Sequence, residues 1–101
     1  MDAAPPHQRT ASERTELLTT LQVVADLVEM IEPEKVAGFS VLGDSVRIQP
    51  SDLGEGAGIA ALLGLQSAYD VHTTLPEFTD WSGQVRGLEV HVRGALRRRA
   101  A

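Results

Sequence analysis

PEFTDWSGQVRGLEVHVRG, residues 76–94, decides the reading of the fold. Its second half is plain. Leu88, Val90 and Val92 alternate with Glu89, His91 and Arg93, the period-two pattern of a strand with one buried and one wet face. Its first half, 76–84, reads as a loop carrying Phe78 and Trp81, two of the chain's four aromatic residues. On that reading the strand at 88–92 has to find its hairpin partner further upstream. The candidate is 68–75, where Tyr69, Val71 and Thr73 alternate with Asp70, His72 and Thr74.

Upstream lies a clearer hairpin, VAGFSVLGDSVRIQP, residues 36–50. Phe39 and Val41 alternate with Ser40 and Leu42, Val46 and Ile48 with Arg47 and Gln49. Gly43-Asp44 between them suits a two-residue type II′ turn, because glycine accepts positive φ at the first turn position. Pro50 ends the second strand, since it has no N–H for the ladder.

Two helices are predicted. Thr10 and Glu13 have capping-box spacing, with Ser12 as the competing cap. From there Leu17, Leu21, Val24, Val28 and Ile31 recur at steps of four and three, one stripe of an amphipathic helix over 12–32 that Pro33 stops. The second helix, 52–65, opens on GEGAGIAALLGL (54–65), with Ser51 as its cap. Gly54, Gly56 and Gly58 make G-x-G-x-G, but the dinucleotide fingerprint needs its third glycine where Ile59 stands. A triphosphate loop needs a lysine followed by a hydroxyl, and Glu55 would repel phosphate. No cofactor is expected; the glycines let the backbone approach the sheet, and Gly56→Ala is expected to be neutral or mildly stabilising.

The expected fold is therefore α+β in the order α-β-β-α-β-β, two helices on one face of a four-stranded antiparallel sheet. Residues 1–11 are expected to form a flexible tail, 12–96 a single domain and 97–101 a basic tail. At 101 residues, 43% hydrophobic and 23% charged, the chain suits one small globular domain. It has no cysteine, which excludes disulfides, thiolate metal sites and cysteine nucleophiles. The opening MDAAPPHQ has no secretory pattern and no stretch is long enough to span a membrane, so a soluble cytoplasmic protein is expected.

The helix–hairpin–helix–hairpin order, the VRIQP strand (46–50) running into a short helix ending LLGL (62–65), and DWSGQ (80–84) with LEVHVRG (88–94) resemble small proteins of high-GC actinobacteria and their phages. Eight arginines against one lysine carry the same GC-rich bias. The resemblance covers most of the chain past residue 12. It implies an origin and no chemistry.

Candidate sites follow from the expected faces. Asp70, His72, Glu89, His91 and Arg93 would share the wet face, and with Phe78 and Trp81 they are the candidate protein-binding residues. The leading expectation is a small non-enzymatic protein-binding module, accessory or regulatory. An alternative is a metal site at His72 and His91 with Asp70 and Glu89, two imidazoles and two carboxylates on neighbouring strands. Another is weak contact with nucleic acid through Arg93, Arg97, Arg98 and Arg99, although the net charge of −5 opposes it. No G-x-S-x-G elbow or other catalytic constellation is present, so no enzyme is expected. The Leu17/Leu21/Val24/Val28/Ile31 stripe also suits a homodimer contact between helices.

Overall fold

The computed structural model describes residues 11–97, with the side chains of Ser12 and Glu13 outside the description. The capping box at Thr10 and the tail at 1–10 fall outside the described residues, as do Arg98 and Arg99.

The first helix, α1 (Ala11–Met30), forms where its periodicity predicts, but the predicted stripe is corrected: Val24 and Ile31 are buried, Leu17 and Val28 partly so, and Leu21 is 42% exposed. Thr20, Val24, Leu27 and Ile31 make the buried row, at steps of four, three and four. Pro33 opens a 3-10 turn, Pro33–Lys35, which delivers the chain into β1 (Val36–Leu42). β1 turns through Gly43, at φ +62, into β2 (Ser45–Pro50), with Leu42 opposite Ser45. The predicted glycine-led hairpin is thus in place.

Ser51 does not cap a helix. Its N–H and hydroxyl donate to the carbonyls of Lys35 and Glu34, at 2.8 and 2.7 Å, which ties the end of β2 to the start of β1. Asp52 is the cap, accepting the Gly54 N–H at 2.9 Å over a 3-10 turn, Leu53–Glu55. The α-helical part, α2 (Gly56–Leu63), is shorter than predicted and ends at Gly64 in the left-handed region.

The last third departs from expectation. After β3 (Ser67–Val71), the segment read as a loop forms an eight-residue strand, β4 (Phe78–Val85). It pairs antiparallel with both β3 and β5 (Leu88–Ala95). Arg86 and Gly87, both at positive φ, make the two-residue turn into β5. The fold is α+β, as expected, but the sheet has five strands in the order β1-β2-β5-β4-β3, and β2 lies parallel to β5. The four-stranded antiparallel sheet is corrected to a mixed one, and α-β-β-α-β-β to α-β-β-α-β-β-β.

β4 escaped the alternation test because it is sheltered on both faces. Phe78 on one side is 8% exposed and Thr79 on the other is wholly buried. Buried polar Thr79 breaks the apolar/polar alternation, yet its hydroxyl is satisfied, donating to Asp70 at 2.8 Å and accepting the Arg97 N–H at 3.0 Å.

Both helices cover one face. Val46, Ile48, Leu88, Val90 and Val92 form the sheet side of the core, Val24, Leu27, Ile31, Ile59, Ala60 and Leu63 the helical side. Gly56 decides how closely α2 approaches: a Cβ there would lie 2.4 Å from the Arg93 carbonyl oxygen and 2.4 Å from Gly94 Cα. The expected neutrality of Gly56→Ala is therefore corrected, since the methyl would strike β5 backbone. No described helix is long and apolar enough to cross a membrane.

Candidate functional site

The register sorts the predicted site residues. Asp80 stands opposite Arg93, Ser82 opposite His91 and Gln84 opposite Glu89, while Arg47 of β2 is level with His91. These side chains share the face that carries no helix. Glu89, His91 and Arg93 lie on it as expected. Asp70 does not: it pairs with Thr79, level with Gly94, and so points to the helix side. Tyr69 and Val71 take the open side instead, inverting the predicted facing of that strand.

The inversion has a physical cause. At the far end of the helix-covered face, Arg97 grips Asp70 through two bonds, Nε to Oδ1 at 3.0 Å and a terminal nitrogen to Oδ2 at 3.1 Å. The Arg97 guanidinium, and then the Thr79 hydroxyl, hold the Asp70 carboxyl below its ordinary value, and Asp70 raises Arg97 in return. A bidentate pair satisfies the acid where a lone carboxylate would be costly.

His72 and His91 are not brought together. β4 separates the strands predicted to be neighbours, and His72, just past β3, pairs with Glu77. His91 pairs with Asp80 through Nδ1 at 3.0 Å, with Glu89 3.6 Å from Nε2. Among the described residues no group of three or more histidine and acidic side chains is arranged to hold a metal ion.

Phe78 and Trp81 are strand residues on opposite faces, and neither is a loop anchor. Trp81 packs beside the core, half-buried, with the Arg97 guanidinium 5.7 Å from its ring centre. Phe78 lies on the open face but is covered, because the Arg93 guanidinium sits 3.9 Å above its ring centre. Of the four arginines proposed for nucleic acid, Arg97 is thus engaged by Asp70 and Arg93 by Phe78.

The open face thereby carries a graded set of charges. Arg47 lies 3.6 Å from Asp80, and Asp80 holds His91. Arg93 is different. The ion-paired arginines among the described residues are Arg47, Arg86 and Arg97. Arg93 Nε is buried with no hydrogen-bond partner, as is Asp80 Oδ1 across from it. Beside this pair stands Tyr69, opposite Asp80 and 72% exposed. A half-buried guanidinium flattened on an aromatic ring offers charge and a flat contact, with Asp80 between it and the exposed Tyr69.

Sequence reasoning found Arg93, His91 and Glu89 and missed Arg47, Asp80 and Tyr69 as their companions. Val85-Arg86-Gly87-Leu88 was the available signal, since a two-residue turn ending in glycine before a clean strand implies a strand before it as well. Set against known protein families and curated proteins, the sequence matches none.

Proposed function

We propose that this chain is a small non-enzymatic protein-binding module with an accessory or regulatory role, cytoplasmic, of an actinobacterium or its phage, and that the open sheet face is its binding surface. The observation that supports this reading is Arg93, stacked on Phe78 on the open face, with exposed Tyr69 on the far side of Asp80. Arginine and tyrosine are the residue types that concentrate binding energy, and a partly desolvated arginine gains most from an incoming carboxylate. The partner that fits is a protein presenting an acidic side chain or terminal carboxylate beside an apolar one.

The test is capture from the native host with the tagged full chain, run in parallel with Arg93→Ser and Tyr69→Ala. A protein retained by wild type and lost by both variants, each melting within a few degrees of wild type, supports the reading. Equal capture by all three removes the open face from it.

A further inference from the structure

The buried row of α1 does not end in an apolar residue. Ile31, Leu27, Val24 and Thr20 are 2, 2, 3 and 8% exposed, and one step of four before Thr20 stands Glu16, exposed. Glu16 lies within about 40° of Thr20 round the helix axis, so it continues the same row past the packed core. There α1 and the β1–β2 turn wall a cleft of about 710 Å³. Glu16, Leu17 and Thr20 line it from the helix, Val41, Leu42 and Asp44 from the hairpin.

Thr20 differs from its neighbours. Thr15 and Thr19 turn their hydroxyls back to carbonyls four residues earlier, at 3.0 and 2.9 Å. Thr20 makes no such bond, and among the described residues its hydroxyl has no partner. Yet it is not one of the side-chain atoms that are both sealed from solvent and unpartnered, which are Asp80 Oδ1, Trp81 Nε1 and Arg93 Nε. A residue only 8% exposed thus leaves its hydroxyl open, on the wall of the cleft.

The charge of the cleft has one sign. Glu16 stands on the helix wall and Asp44 on the turn, and among the described residues no arginine, lysine or histidine lines it. Neither carboxylate has an ion-pair partner among the described residues. The Asp44 carbonyl accepts the Glu89 N–H at 3.0 Å, which holds the turn against β5. Two carboxylates and a hydroxyl are too few to cage a calcium ion, which takes roughly six to eight oxygens. The volume is that of a small-molecule site, and Leu17, Val41 and Leu42 give it apolar walls.

We propose that this cleft binds a small aliphatic diamine. One ammonium pairs with Glu16 and donates to the Thr20 hydroxyl, the other pairs with Asp44, and the methylene chain lies on Leu17 and Val41. An ammonium has three donors and no acceptor, which matches walls whose polar groups are carboxylate and hydroxyl oxygens. Arg93, Phe78 and Tyr69 do not line the cleft, so this site is separate from the open sheet face.

NMR titration of the full chain with diaminopentane, at the salt of ordinary buffers, tests this. Saturable shifts confined to the amides of 15–20 and 41–44 are expected, with a Kd on the order of 1 mM for so small a ligand. Pentanediol, equal in length and uncharged, should shift nothing. Glu16→Gln and Asp44→Asn should each weaken binding about threefold or more, and Thr20→Val about threefold, in spectra that otherwise show the fold kept. Glu29→Gln removes an exposed acid elsewhere on α1 and should leave the affinity unchanged. A chain of net charge −5 also gathers amines loosely over its surface. Shifts scattered over many acids without saturation therefore overturn the proposal. So does the absence of any shift, or binding that Glu16→Gln and Asp44→Asn leave untouched.

Discussion

The two faces of the sheet use the same strands for different physics, and β5 shows the contrast residue by residue. Val90 and Val92 have no exposed surface and meet α1 and α2 through packed volume. His91 and Arg93, one residue along, meet Asp80 and Phe78 through charge, at 3.0 Å and 3.9 Å. The covered face is intolerant of any added atom: Gly56 and Gly94 are pressed so close that a side chain on either would meet backbone or Trp81. The open face is tolerant of shape but organised by sign. The difference teaches that alternation on a strand marks which energy term acts at each position, and not merely which positions are dry.

The largest expected effect lies on the covered face. Val90→Asp should cost about 4 kcal/mol or more, an unpaired charge in a closed core, while His91→Ala should cost roughly 0.5–1 kcal/mol, since Arg47 remains to balance Asp80. Chemical denaturation of both measures it, and similar losses would erase the distinction between the faces.

A second contrast lies within one helix. Gly56→Ala should destabilise by about 2–3 kcal/mol, because β5 backbone cannot yield to the methyl, whereas Gly58→Ala, with open space around it, should stabilise by about 0.5–1 kcal/mol. Opposite signs in thermal melts would confirm that backbone contact, and not glycine flexibility, sets the start of α2. Like signs would refute it.

Arg93→Ala sharpens the view of the open face. It uncovers Phe78 and should cost about 1 kcal/mol, through lost stacking and lost cover. Arg93→Lys should recover only part of this, because an ammonium does not lie flat on a ring. Full recovery by lysine would mean that charge alone matters there.

The smallest change is one of slope. Asp70 is held below its ordinary value of 3.8 by Arg97 and then Thr79. A carboxyl with a depressed folded value contributes stability that is complete above the unfolded value and lost as pH falls through the folded one. Asp26, lowered by hydrogen bonds from Arg86 and Gln22, behaves the same way. Melting temperatures of Asp70→Asn should therefore fall less steeply than wild type as pH drops below about 4. Parallel curves would show that the pair does not tie the end of the covered face.

Much was legible in the residues themselves. The four-and-three spacing of Leu17, Leu21, Val24, Val28 and Ile31, the turn at Gly43-Asp44, and the alternation of Val46, Ile48, Leu88, Val90 and Val92 are local, periodic signals, and each element formed where they stand, although the helix buries Thr20 and Leu27 in place of Leu21. So the sequence by itself determined the α+β class, both helices, the first hairpin and the facing of β2 and β5. Only the tertiary structure decided the rest. β4 is a strand because β3 and β5 complete its ladders and because Thr79 and Phe78 find Asp70 and Arg93 across the sheet. Asp70 faces inward because Arg97, twenty-seven residues later, satisfies it there. These choices rest on partners distant in sequence, and a pattern of period two or 3.6 carries no information about which distant group will arrive.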